Sequence, residues 1–132
     1  MDLSSSSILI VDDEQELATL YRQYLLELGI EAVSFTNPLL AFEHYKQCPD
    51  KYSLILTDQR MPGICGIDLA NRIREINSKI KIVLMTAFDI SDIEHDQAYR
   101  TANIDKLLQK PIKLSMLRKI IEQSTLAPSR YI

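Results

Sequence analysis

SILIVDD, residues 7–13, runs from an apolar stretch straight into a pair of carboxylates. Ser7 to Val11 shows no polar–apolar alternation, the pattern of a strand covered on both faces. It therefore predicts the central strand of a parallel sheet. YSLILTD (52–58) ends on Asp58, and IDKLLQKP (104–111) ends on Lys110-Pro111. If these runs are parallel neighbours, Asp12, Asp13, Asp58 and Lys110 all emerge at one carboxyl edge, where open α/β sheets place their sites.

Working outward, strand-length apolar runs alternate with helix-length amphipathic segments, an alternation that argues for βα units and an α/β fold. Leu17, Leu20, Tyr21, Tyr24, Leu25 and Leu28 recur at helical spacing over Glu14 to Leu28, and Gly29 supplies the stop. Glu31 to Phe35 predicts the second strand. Asn37 as N-cap and Pro38 as first helical residue then open a helix to about Gln47. Leu54, Ile55 and Leu56 form the third strand. A loop with Met61-Pro62-Gly63 and a helix from Gly66 to Ile76 follow it. Lys79 to Met85 predicts the fourth strand, Asp89 to Arg100 a weakly patterned helix, Ile104 to Gln109 the fifth strand and Lys113 to Ser124 the closing helix. Residues 1–6 read as a flexible N-terminal tail, 7–124 as one domain, and 125–132 as a C-terminal tail or the start of a linker.

The chain has 132 residues, 46% of them hydrophobic and 25% charged, enough for one domain with a real core. Its net charge is −3 and the basic residues are scattered, so no nucleic-acid footprint is drawn. Apolar stretches such as ILIV and IKIVLM are far too short to cross a bilayer, and MDLSSSS lacks a basic leader segment. These features predict a soluble cytoplasmic protein without membrane contact. Cys48 and Cys65 have neither CxxC nor zinc-finger spacing.

Magnesium takes six oxygen ligands, keeps several waters and is commonly held by one or two carboxylates plus phosphate oxygens. Asp13 and Asp58 can supply the carboxylates, with Asp12 accepting hydrogen bonds from metal-bound water. Such closely spaced acids repel one another unless a cation is present. Thr86, ending the fourth strand in MTA (85–87), offers a hydroxyl, and Lys110 a compact ammonium. Metal, lysine and hydroxyl together would surround the oxygens of a transferring phosphoryl group. Asp58 is then a candidate nucleophile, and its product an aspartyl phosphate.

Through VDDE (11–14), DQRMPGICG (58–66), MTA (85–87) and KP (110–111), the chain resembles the receiver domain of two-component response regulators, the CheY-like superfamily, along essentially its whole length. The resemblance implies a doubly wound (βα)5 flavodoxin-like fold with five parallel strands in the order 2-1-3-4-5. It implies that Asp58 accepts phosphate from a phosphohistidine in an Mg²⁺-dependent reaction. Asp13, Asp58 and the backbone carbonyl of Arg60 would bind the ion, and Asp12 would act through water. Thr86 and Lys110 would read the phosphoryl group and draw in the loop after the fourth strand. The surface of the fourth helix, fifth strand and closing helix would then repack to meet partners or form a homodimer. The partners implied are a sensor histidine kinase or phosphotransfer protein, as in a phosphorelay, and a downstream effector or output domain. The protein would be a switch that catalyses only its own phosphorylation and dephosphorylation.

Leu107 stands where receivers carry Tyr or Phe, three residues before the KP lysine, so the usual threonine–aromatic coupling is weakened or rerouted. Arg60 and Phe88 occupy positions that tune phosphoryl lifetime in the family. Phe88 at the mouth would exclude water and slow self-dephosphorylation, while the small Ala87 leaves room for a donor. Two alternatives compete. A phosphatase or mutase of the haloacid-dehalogenase type also uses an aspartyl phosphate, but it wants Asp-x-Asp, and here Glu14 follows Asp12-Asp13. A phosphate-independent receiver-like interaction module is favoured by Leu107 and opposed by the acids, Thr86 and Lys110. His44 and His95 lie in polar helical contexts and read as exposed surface.

Overall fold

A computed structural model describes residues 7–88 and 90–126. The expected N-terminal tail and residues 127–132 lie outside the described residues. Five parallel strands, β1 (Ser7–Val11), β2 (Glu31–Phe35), β3 (Tyr52–Asp58), β4 (Lys81–Thr86) and β5 (Lys106–Gln109), form one sheet in the order β2-β1-β3-β4-β5. The central strand is β3, not β1 as expected, but β1 is an interior strand between β2 and β3, and each of its five residues is buried.

The alternation of side chains along the strands feeds two cores. Leu9, Val11, Ile55 and Ile82 point to one face, where they pack on Ala41, Tyr45, Leu69, Ile73 and Ala102. Ile8, Ile10, Leu54, Leu56, Val83 and Met85 point to the other, against Tyr21, Leu25, Leu117, Ile120 and Ile121. Accordingly α2 (Pro38–Gln47), α3 (Gly66–Ile76) and α5 (Gln97–Ala102) cover the first face, and α1 (Gln15–Glu27) and α6 (Leu114–Ile121) cover the second. Burying each Leu or Ile side chain contributes about 1.5–3 kcal/mol. A sheet covered twice therefore explains why its strands show no polar alternation.

The helix boundaries follow from local chemistry. Asn37 Oδ1 accepts from the amides of Leu39 (2.9 Å) and Leu40 (3.2 Å), with Pro38 at the first turn. Gly29 follows α1 with φ +82°, the left-handed stop expected there. β4 starts two residues later than predicted because the Asn77 carboxamide holds the Lys79 amide (2.8 Å) and the Ile80 amide in a turn. β5 starts later because the Asp105 carboxylate accepts from the Ile82 amide at 2.8 Å, a bond that a further strand residue would otherwise provide. α6 ends at Ile121 and passes into a π-helical turn over Glu122–Leu126.

Two further expectations need correction. The segment after β4 is two short helices, α4 (Ile90–Glu94) and α5, not one. Asp96 breaks it: its backbone is extended and its carboxylate accepts from the Ala98 amide at 2.9 Å, capping a new helix. His44 is not an exposed surface residue. It is half-buried, its ring 5.1 Å from that of Phe35, and its Nε2 is paired with the Tyr52 hydroxyl. Burial pushes the Tyr52 hydroxyl up to about 12 and the His44 imidazole down. His95 is exposed, as expected.

Candidate functional site

Parallel pairing brings the strand ends together. Val11 lies beside Thr57, Asp58 beside Met85, and Thr86 beside Gln109. Asp12, Asp58, Thr86 and Lys110, the residues at or just beyond these ends, thereby share one edge. The backbone ties them further: the Asp12 amide donates to Phe35 O (3.1 Å) and the Lys110 amide to Thr86 O (2.7 Å). The Lys110–Pro111 peptide is cis.

Asp12 is fully buried, and its two oxygens do separate jobs. Oδ1 accepts from the Glu14 amide at 2.9 Å and starts α1, while Oδ2 accepts from Lys110 Nζ at 2.9 Å. The same ammonium stands 3.5 Å from Asp58 Oδ1 and 3.5 Å from Glu14 Oε1. Asp58, only 6% exposed, also accepts from the Gln59 amide at 3.0 Å. Burial first, and then the charge of Asp12, push the Asp58 carboxyl up to about 6, against the pull of Lys110 and the Gln59 amide. For Lys110 burial opposes the charge, but the hydrogen bond to Asp12 and the two buried carboxylates hold the ammonium above its ordinary value. The edge is thus an acid cluster with a lysine at its centre.

Asp13, Glu14, Asp58, Arg60, Ala87, Phe88 and Lys110 line a cavity of about 300 Å³ above this cluster. Asp13 is exposed on its rim. Thr86 is buried, its Oγ1 accepting from the Phe88 amide at 3.0 Å. Phe88 is 44% exposed, with the Arg60 guanidinium 4.0 Å over its ring. Leu107 is half-buried and lies beyond the site, in a hollow of about 380 Å³ with Leu108, Pro111, Ile112 and Met116.

Sequence reasoning missed two residues here. Glu14 was given no role at the site, yet its carboxylate joins those of Asp12 and Asp58, one oxygen from each lying within 4.8 Å of the others. The signal available was its place between the strand's end and the first residue of α1. Gln59, beside Asp58, has a side chain that reaches α3, where Oε1 accepts from the Ile67 amide at 2.9 Å. No local pattern announces so distant a bond. Gly66 explains itself: a Cβ there would stand 2.3 Å from the Asp58 carbonyl oxygen and 2.7 Å from Leu84 Cδ1. The helix thus abuts the strand end.

An all-oxygen set of carboxylates suits a hard divalent cation such as Mg²⁺ in preference to zinc or copper. Among the described residues no helix is long and apolar enough to cross a membrane. Residues 8–122 match the family described as the response regulator receiver domain. The response regulator receiver protein CpdR of Brucella abortus is 34% identical over 121 residues, spanning 91% of this chain and 97% of its own. The autoinducer 1 sensor kinase/phosphatase LuxN of Vibrio campbellii is 32% identical over 89% of this chain, which covers only 13% of that protein. Among solved structures, the response regulator protein TrrA of Thermotoga maritima, in complex with Mg(2+)-BeF, aligns with a TM-score of 0.77 at 29% identity, covering 89% of this chain and 97% of that one. A receiver domain protein of Clostridium thermocellum shares the fold, with a TM-score of 0.81 at 19% identity over 91% and 94% of the two chains. A sheet ordered 2-1-3-4-5, acids and a lysine converging on its carboxyl edge, a family match over residues 8–122 and a receiver-protein relative matched over 97% of its length lead to one conclusion: the chain belongs to the response regulator receiver family, the phosphorylation-controlled signalling domains of two-component systems.

Proposed function

We propose that this receiver takes a phosphoryl group from a phosphohistidine onto Asp58 and passes the event on as a change of surface. The observation that carries the reading is the placing of Asp58 at the base of an open cavity, in contact with an ammonium that also holds Asp12 and Glu14. An Asp58 oxygen attacks phosphorus, the bond from phosphorus to the donor's imidazole nitrogen breaks, and the imidazole leaves. Lys110 is placed to leave its carboxylate partners and neutralise a phosphoryl oxygen. Asp13, Asp58 and the Arg60 carbonyl would hold Mg²⁺, with the buried Asp12 acting through metal-bound water. When bound, the ion would supply the remaining neutralisation of phosphoryl charge. Thr86 would exchange its bond from the Phe88 amide for one to the phosphoryl group.

A groove of about 350 Å³ lined by Leu17, Leu20, Tyr21, Ala87, Pro111 and Ile112 opens next to the acids and supports the approach of a donor protein's apolar face. The donor would be a cytoplasmic histidine kinase or phosphotransfer protein, in keeping with the kinase relative LuxN and with the relative named sporulation initiation phosphotransferase F. The unit that switches would be residues 7–124, acting on no substrate but itself. An effector, or a second copy of the chain, would meet the face formed by α4, β5 and α6. A second reading, an interaction module indifferent to phosphate, is favoured by Leu107, which leaves the hollow beside β5 without the usual ring. Incubation with Mg²⁺ and acetyl phosphate followed by intact-mass measurement separates the two. A phosphoryl-sized increase that requires Mg²⁺ and disappears in Asp58→Asn is expected; no increase would favour the second reading.

A further inference from the structure

The first amides of a helix need acceptors from outside it. α3 begins after Cys65, whose side chain caps nothing. Gln59 takes over: its carbonyl accepts from the Gly66 amide at 2.8 Å, and its Oε1 from the Ile67 amide at 2.9 Å. Its own amide is shared between Met85 O (2.8 Å) and Asp58 Oδ1 (3.0 Å). One residue therefore clamps the end of β3, its neighbour β4 and the start of α3. The loop from 59 to 66, with Arg60 inside it and Met61 buried, is closed at its neck.

Resting on the proposed Mg²⁺-dependent reading, we infer that Gln59 is a positioning residue for the cation site: its carboxamide fixes the loop that carries the Arg60 carbonyl against Asp58. Main-chain bonds alone would leave that neck held by one amide of α3. The carboxamide adds the second, so the loop cannot rotate about the first. Outer partners of this kind preorganise the groups that do bind the ion.

The test uses the whole protein without phosphodonor. Gln59→Met keeps the length and volume of the side chain and deletes the acceptor. Titration with MgCl2 in a calorimeter is expected to show binding weakened about tenfold, the lower end of what losing an outer-shell partner costs a metal site. Hydrogen exchange at the Ile67 amide is expected to accelerate in Gln59→Met and to be slowed again in Gln59→Glu, which keeps an acceptor of the same reach. Unchanged Mg²⁺ affinity in Gln59→Met with faster Ile67 exchange would overturn the inference and leave Gln59 a helix cap only. Unchanged exchange would overturn the cap as well. If the unsubstituted protein takes up no Mg²⁺, the reading of the site fails along with the inference, an outcome distinct from both.

Discussion

Asp58 is the residue at which structure and chemistry disagree most usefully. Its carboxyl is raised from 3.8 to about 6 by burial and by Asp12, so the folded state holds its proton more tightly than the unfolded chain does. A raised carboxyl contributes most below its unfolded value, and stability is lost as the pH climbs through the folded one. For the cation-free protein that window runs from about pH 4 to about pH 6, and the full shift corresponds to about 3 kcal/mol. Asp58→Asn removes this penalty. In chelator at pH 7 it is expected to be more stable than the unsubstituted protein by about 1–3 kcal/mol, with the gap closing toward pH 4. Urea melts of both proteins across that range check this; equal stabilities at pH 7 would mean that Lys110 already offsets the burial of the carboxylate. Phe88 makes a second prediction. With the Arg60 guanidinium 4.0 Å over its ring, it stands across the cavity mouth. Phe88→Ala should let water reach the acyl phosphate and speed its loss several-fold, as followed by the decay of the phosphorylated mass. An unchanged decay would remove the idea.

Elements carry constraints that no single side chain shows. α3 packs its first residue onto the Asp58 carbonyl, so Gly66→Ala must shift the helix or the strand end. It is expected to cost about 1–3 kcal/mol, as overpacking does, and to displace Asp58 at the same time. Denaturant melts beside Mg²⁺ titration would show both effects, and a neutral substitution would show that α3 can slide. At this scale most of the fold was legible: uninterrupted apolar runs, Asn37-Pro38 and Gly29 are local signals, and local signals survive in a sequence. What was not legible depended on contacts across space. The bounds of β4 and β5 are set by the side chains of Asn77 and Asp105, and the split between α4 and α5 by the extended backbone at Asp96. Of the four residues expected to emerge at one edge, Asp12, Asp58 and Lys110 are in contact and Asp13 lines the cavity beside them. The acid that closes the cluster, however, is Glu14, whose amide is held by Asp12 Oδ1 and whose exposed carboxylate reaches back to Lys110 and to the two buried acids, while Asp13 stays on the rim.

Across the whole molecule, the site lies above two cores, and a signal must leave through whatever is held least tightly. α5 is bolted to α3: Asn71 Nδ2 donates to Ala98 O (3.0 Å), and Thr101 Oγ1 donates to Asn71 Oδ1 (3.0 Å). The Arg74 guanidinium donates to Ala102 O (2.8 Å) and Asn103 O (2.8 Å) and reaches the Asp105 carboxylate at 3.3 Å. α4, by contrast, buries none of its residues completely and begins just after Phe88, whose amide is tied to Thr86. If Thr86 moves toward a phosphoryl group, the displacement enters α4 at once and meets a fixed point at Asp96. Hydrogen exchange is therefore expected to change on phosphorylation over residues 87–95 and to stay constant over 97–103. Arg74→Ala, which strips donors from several main-chain carbonyls, is expected to cost about 1–3 kcal/mol and to let the change spread into α5. Exchange measured before and after acetyl phosphate, on both proteins, decides the matter. A change that already runs through 97–103 in the unsubstituted protein would mean that the α3–α5 bolt gives way during switching, and that the two short helices act as one.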